Sequence, residues 1–236
     1  MVKKIIKGLF EKVGLDISIN RHWPNLHFFF RSWEKLGLAP GFCVDVGANH
    51  GEWTRVASRY FPRSRFVMIE PQERLKPFSR DLLARPNIQW RTLGMSDQPG
   101  RLLLSIPERD DGASFLPTTR PANELVAQIE VEVTTLDLLV AQEKSLPNLV
   151  KVDAEGLDMR VLKGAASLFG RTEIFFVECS VCANGDNTVL AVCEFMDKAG
   201  YRPVEFTDLN RYNPSGALML CEMAFLLKTS RLLAKV

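Results

Sequence analysis

The 236-residue chain lacks long apolar runs and carries no strong charge of either sign. None of its hydrophobic stretches approaches the ~18 residues that a membrane span needs. Those near the N-terminus are short and interrupted by Lys and Asp, so neither a spanning helix nor a secretory signal peptide is expected. Formal net charge is only +2, which removes the broad electrostatic case for nucleic acid. Internal repeats and low-complexity tracts are absent. Five cysteines, an odd number in a chain large enough to bury its own core, point to reduced thiols and a cytoplasmic setting. Cys179-Ser180-Val181-Cys182 has C-x-x-C spacing, but a zinc site needs a second ligand pair that neither Cys193 nor Cys221 supplies. A redox role needs a thioredoxin-like context, which is missing, so buried, inert thiols and no metal are expected. Also missing is G-x-G-x-x-G, the loop that brings a dinucleotide's pyrophosphate to a helix N-terminus.

What stands in its place is Asp45-Val46-Gly47-Ala48-Asn49-His50-Gly51. An apolar strand ends in an acid and a glycine-bearing loop, and a helix pattern follows. Gly47 and Gly51 allow a sharp turn and close approach to a ligand. A second strand, Arg65–Ile69, ends on Glu70, whose carboxylate is placed to accept hydrogen bonds from both ribose hydroxyls, as in nucleotide-binding α/β folds. S-adenosylmethionine has an adenosine and an amino acid end but no phosphate, so D-x-G-x-x-x-G followed by a spaced acid reads as a methyl-donor site. An ordinary strand-turn-helix with turn glycines is the bland alternative.

Strand and helix patterns alternate after residue 40. Strands are expected at 42–47, 65–70, 87–93, 148–153, 172–178, 201–206 and 218–227, with helices at 52–61, 72–84, 157–169 and 188–199. This alternation implies a parallel sheet covered on both faces, with ligands at the strand C-terminal edge. Residues 1–40 read as an N-terminal helical extension: Ile5, Ile6, Leu9, Phe10 and Val13 recur at helical spacing, and a second helix spans 26–36. The extension is either a cap on the core or a basic amphipathic helix in peripheral contact with a membrane. Residues 41–236 form the main domain. Within it, a polar insertion at about 99–128 has the character of an active-site lid, with strands at 101–106 and 129–134.

The blocks VDVGANHGEW, FVMIEP, GMSDQPG, TTLDLL, VKVDAEGLDMRVLKGA and IFFVECS occur in the order seen in the FkbM family, which this chain resembles over roughly residues 40–228. The resemblance implies S-adenosylmethionine-dependent methyl transfer, often to oxygen. It also implies the class I methyltransferase fold, a Rossmann-like seven-stranded, mostly parallel sheet with one antiparallel strand near an edge. By position, Asp45, Gly47, Asn49 and Gly51 then surround the methionine end of the cofactor. Glu70 takes the ribose, and Ser96 and Asp97 line the adenine side. Asp153, Glu155 and Gly156 follow the fourth strand, where cofactor and acceptor meet. The position of His50 is usually apolar in the family, so its role is not inherited.

Methyl transfer to a hydroxyl gains from alignment and from a positioned base. Asp153 or Glu155 is the candidate base or acceptor-orienting group. Alternatively, Asp153 binds the cofactor's ammonium and Glu155 caps the following helix. His50, Ser114 and Glu178 are candidate acceptor contacts. The expected partner is a small-molecule acceptor, a sugar or similar polyol-bearing metabolite, rather than nucleic acid. The competing readings are a non-catalytic S-adenosylmethionine-binding protein and an NAD-linked oxidoreductase, the latter disfavoured by the glycine spacing.

Overall fold

The computed structural model describes residues 24–107, 113–116, 125–183, 185–211 and 214–236. The helix expected around residues 5–13 lies outside them. Among the described residues, ten strands form two sheets. The main sheet has seven, in the order β3-β2-β1-β7-β8-β10-β9: β1 Phe42–Val46, β2 Arg65–Ile69, β3 Ile88–Arg91, β7 Leu149–Val152, β8 Ile174–Ser180, β9 Tyr201–Asn210 and β10 Leu220–Leu227. The pairs β1/β2, β2/β3, β1/β7 and β7/β8 are parallel, and β10 runs antiparallel to both neighbours. This is the class I methyltransferase arrangement implied by the resemblance, including the terminal hairpin. A second sheet, in the order β4-β6-β5, is built from β4 Gly94–Met95, β5 Gly100–Pro107 and β6 Leu125–Thr134.

Helices cover both faces, as short buried parallel strands require. On one side, α1 (Pro24–Lys35) and α2 (Glu52–Tyr60) bury Phe29, Phe30, Trp33 and Trp53 against Cys43, Phe66, Met68, Phe176 and Ala224. On the other, α4 (Leu136–Glu143), α5 (Asp158–Lys163) and α6 (Val189–Lys198) pack on Val44, Val46, Val67, Ile69, Phe175 and Val177. Among the described residues, no helix is long and apolar enough to cross a membrane.

Three elements depart from the expected pattern for local reasons. The helix expected at 72–84 is a 3₁₀ segment, Glu73–Ser79, followed by the short α3, Arg80–Leu83. Pro77 lies inside the 3₁₀ segment and has no N–H to give to an α-helical ladder. The helix expected at 157–169 stops at Lys163 with Gly164 as its C-cap, and a 3₁₀ turn, Ala166–Leu168, follows; a Cβ on Gly164 would come within 2.3 Å of the Ser96 carbonyl, which keeps that position glycine. Helix α4 was not anticipated by the pattern; Thr135 caps it by accepting a hydrogen bond from the Leu138 N–H. The strands expected at 101–106 and 129–134 are present and pair antiparallel, with Gly100 opposite Val133 and Pro107 opposite Leu125.

Strand parity prepares the site. Successive side chains of a strand point to opposite faces. Cys43, Met68, Leu149, Phe176 and Ala224 all face the α1/α2 side. Their neighbours two residues away, Asp45, Glu70, Lys151, Glu178 and Glu222, therefore share that face. In the ladder Asp45 stands beside Lys151, and Glu178 stands opposite Glu222.

Candidate active site

The loop after β1 is held by its own backbone. Gly47 and Ala48 donate their N–H groups to the Ile69 carbonyl at 2.9 and 3.0 Å. Gly47 has φ +72°, and a Cβ there would sit 1.7 Å from the Asp153 carbonyl oxygen, so only glycine fits where the first and fourth parallel strands end. Asn49 is also left-handed (φ +46°), and Gly51 begins α2. Glu70, buried at 4% exposure, ties this loop to the next turn. Its Oε2 accepts the Asn49 N–H and its Oε1 accepts the Gln72 N–H, both at 3.0 Å. Burial raises the Glu70 pKa, and those two backbone donors oppose the shift.

Lys151 occupies the centre of the edge. Its buried ammonium lies 3.1 Å from Asp153 Oδ2 and 3.6 Å from Asp45 Oδ1, and it donates to the Gly47 carbonyl at 3.0 Å. Burial opposes its charge, but the carboxylates of Asp153, Asp45 and Glu222 outweigh that and raise its pKa. Asp45 is held from the other side by the Thr54 hydroxyl at 2.6 Å.

Beyond Lys151 the acids crowd. Asp153, Asp158 and Glu178 place carboxylate oxygens within 4.8 Å of one another. Asp158, fully buried at the start of α5, accepts the Ala154 N–H at 2.7 Å and the Asn187 side-chain amide at 3.1 Å. Burial and the charge of Asp153 push Asp158 up to about 7. Burial, then the charges of Asp153 and Asp158, raise both Glu155 and Glu178 well above the ordinary carboxylate range. Glu222, which accepts the Thr207 hydroxyl at 2.5 Å, is pushed up to about 8 by burial, against the pull of Lys151. A small pocket opens here between Asp153, Glu178, Asp208, Asn210, Leu220 and Glu222.

The structure thus gathers Asp45, Gly47, Asn49, Glu70, Asp153, Glu155 and Glu178 along one edge. Other sequence-derived candidates make different contacts. Asp97 forms an ion pair with Arg160 at 2.8 Å, which lowers its pKa, and the Ser96 N–H bonds the Thr134 carbonyl in the second sheet. His50 stacks on Phe78, with ring centroids 4.3 Å apart. The Ser114 hydroxyl donates to the Glu155 carbonyl at 3.2 Å. Lys151, Asp158, Asn187, Asp208 and Glu222 were not singled out from sequence. A lysine inside the otherwise apolar Leu149–Val152 strand was the available signal for the first of them.

The residues suit a cation-bearing adenosine cofactor. Each carboxylate oxygen has a second lone pair, so Glu70 keeps acceptor capacity for ribose hydroxyls after its two backbone bonds. Lys151 acts on Glu155, Glu178 and Glu222. A sulfonium and an ammonium gain from each carboxylate that ionises at this edge, whereas a pyrophosphate is repelled by it. Asp153, Asp158 and Glu178 are near enough together for a hard cation. Against this, both Asp158 oxygens already accept hydrogen bonds and Asp153 is paired with Lys151. Of the C-x-x-C pair, expected to be buried thiols, Cys179 is buried, but Cys182 is exposed because it lies in the bend after β8; both are free.

Comparison with known proteins agrees with this geometry. Residues 45–203 match the model of the methyltransferase FkbM domain. "Methyltransferase 1" of Beauveria bassiana (strain ARSEF 2860) is 26% identical over 143 residues, covering 52% of this chain and 57% of that protein. The crystal structure of methyltransferase FkbM from Methylobacillus flagellatus KT superposes with a TM-score of 0.55 at 18% identity, over 85% of this chain and 48% of that one. Magnesium protoporphyrin IX methyltransferase from Synechocystis PCC 6803, solved with bound S-adenosylmethionine, superposes with a TM-score of 0.50 at 9% identity, over 95% and 96%. The chain spans about half the length of the first two relatives. With two-thirds of its length inside one family model and the sheet order to match, the chain belongs to the FkbM methyltransferase family.

Proposed function

We propose that the chain transfers a methyl group from S-adenosylmethionine to a hydroxyl oxygen of a sugar or other polyol-bearing small molecule, in the cytoplasm. The observation that carries this reading is the crowd of buried and half-buried acids beside Lys151 at the strand C-terminal edge, next to a glycine loop and Glu70. Bound S-adenosylmethionine supplies an electrophilic methyl carbon on a sulfonium. The protein's part is to hold and to deprotonate. Glu70 takes the ribose hydroxyls, and the 47–51 loop with Asp45 encloses the methionine end. Asp153 or Glu155 accepts the proton of the attacking hydroxyl. A carboxylate of raised pKa is the stronger proton acceptor, and burial raises that of Glu155. Alignment of acceptor and methyl group contributes up to ~7–11 kcal/mol. The products balance as methyl ether, S-adenosylhomocysteine and one proton. Glu178, beside the pocket with Asp208 and Asn210, offers acceptors to further hydroxyls of a polyol. The free cysteines fit a reducing compartment.

The test is calorimetric titration with S-adenosylmethionine and NAD⁺ side by side, followed by S-adenosylhomocysteine release across a panel of glycosides and amines. Binding of S-adenosylmethionine alone, with turnover on glycosides, supports the proposal. Turnover confined to amines overturns the oxygen assignment. Binding without turnover on any acceptor supports a non-catalytic binding protein, and binding of NAD⁺ in its place overturns the cofactor.

A further inference from the structure

Glu155 has φ +52°, a left-handed conformation uncommon for a residue with a side chain, and Gly156 follows at φ +97°. Such backbone persists only where its surroundings over-determine it. Here the surroundings are residues 113–116. The Ser114 hydroxyl and the Phe115 N–H both donate to the Glu155 carbonyl, each at 3.2 Å. Leu116 lies over Gly156 so closely that a Cβ on that glycine would come within 2.5 Å of Leu116 Cγ. The segment is itself anchored. Ser114 exchanges both backbone hydrogen bonds with Ser105 of β5 at 2.9 Å, Ala113 is buried in the core of the small sheet, and the Phe115 ring lies against Gly94.

We propose that residues 113–116 are a strap through which the small sheet positions Glu155, with Ser114 and Phe115 as positioning residues that hold its carboxylate towards the cofactor's positive centre. The proposal rests on the methyltransferase reading. Glu155 stands in the turn between Asp153, whose carbonyl packs on Gly47 of the loop after β1, and Asp158, whose carboxylate lies beside those of Asp153 and Glu178. That turn joins the glycine loop to the acceptor-side acids, where the proposed cofactor's sulfonium would sit. The Ser114 hydroxyl is spent on the Glu155 carbonyl and on the Leu116 N–H, which donates to it at 3.1 Å, so its contribution passes through Glu155.

S-adenosylmethionine carries the sulfonium charge and S-adenosylhomocysteine does not, so their ratio of affinities reads the placement of a carboxylate at that centre. The experiment is calorimetric titration of both ligands into wild type, Ser114→Ala, Ser114→Thr, Glu155→Gln and the Ser114→Ala/Glu155→Gln double variant. Thermal unfolding of each is recorded in parallel. Ser114→Ala is expected to weaken S-adenosylmethionine about tenfold and S-adenosylhomocysteine less than twofold, with Ser114→Thr restoring the wild-type ratio. In the Glu155→Gln background, Ser114→Ala is expected to add nothing. Equal losses for the two ligands, an undiminished effect in that background, or an unchanged ratio would overturn the proposal. Failure of wild type to bind either ligand would overturn the methyltransferase reading itself, a different result.

Discussion

The ammonium of Lys151 lies 3.1 Å from the Asp153 carboxylate, with the fully buried Asp45 on its other side at 3.6 Å. Removing one member of a buried ion pair costs about 3–5 kcal/mol because the partner's charge stays behind. Lys151→Met should therefore lower the unfolding free energy by an amount in that range, read from a lower denaturant midpoint at an unchanged m-value. A loss below ~1 kcal/mol would show that Asp45 and Asp153 do not depend on Lys151 for neutralisation.

Gly47 and Gly170 share a left-handed backbone, φ +72° and +75°, yet a Cβ meets the Asp153 carbonyl at 1.7 Å at the first and nothing within 4 Å at the second. Alanine at either position carries the conformational cost of ~1–2 kcal/mol. Only Gly47→Ala must also push β1 and β7 apart where the cofactor loop begins. Gly170→Ala should bind S-adenosylmethionine like wild type, whereas Gly47→Ala should lose at least tenfold in affinity and unfold several degrees earlier. Equal behaviour of the two variants in titration and thermal melts would refute the close-approach argument.

Much of this site was legible in the sequence because its ligand-facing acids follow apolar strands that announce themselves. Asp45, Glu70, Asp153 and Glu178 each close a hydrophobic run, and the turn chemistry of Gly47 and Gly51 is written locally. Less legible were the groups that arrive through pairing. Glu222 reaches Glu178 only because β10 runs antiparallel in one register, and the ladder slips between Glu222 and Met223, opposite Thr207. Asp158 reads as an ordinary first-turn helix acid, yet its carboxylate lies beside those of Asp153 and Glu178. The two strands in and after the 99–128 insertion were legible by alternation, but not their pairing into a separate sheet with Gly94–Met95, which rests on contacts distant in sequence.

Stability should fall as pH rises from about 5 to 8. Asp158 and Glu222 titrate at about 7 and about 8 in the folded chain, against ~3.9 and ~4.3 when unfolded. Between those values the folded state holds protons that the unfolded state has lost, so each unit of pH costs stability until the folded groups ionise near 8. Glu222→Gln removes one of these groups and should flatten the decline. Melting temperatures of wild type and variant from pH 5 to 9 provide the check, at about 2–4 °C per kcal/mol for a chain of this size. A wild-type curve that rises over that range, or an equally steep variant, would contradict the assignment.

Glu70 binds two backbone N–H groups and has one further acceptor position on each oxygen. Losing a hydrogen bond to a charged group costs ~1.5–3 kcal/mol. Glu70→Ala should therefore weaken S-adenosylmethionine about ten- to hundredfold. Glu70→Gln, which keeps one acceptor oxygen, should fall between. Unaltered affinity in the alanine variant would remove Glu70 from the ribose site.

The two candidate bases separate by what else they do. Asp153 is bound to Lys151, so Asp153→Asn disturbs an ion pair as well as any proton transfer. It should lower both turnover and the unfolding midpoint. Burial and its acidic neighbours raise the proton affinity of Glu155. Glu155→Gln keeps its size and hydrogen-bonding reach while removing proton acceptance. A positioned base is worth ~10²–10⁴-fold, so Glu155→Gln should lower kcat by that order, with its unfolding midpoint unchanged. The measurement is S-adenosylhomocysteine release on an acceptor that turns over with wild type, across pH 6 to 9. If Glu155 is the base, the acidic limb of the wild-type profile disappears in Glu155→Gln and persists, at reduced height, in Asp153→Asn. The reverse pattern would assign the proton to Asp153. Near-full turnover in both would mean that neither carboxylate takes it, leaving alignment at the edge of β7 as the protein's whole contribution to the transfer.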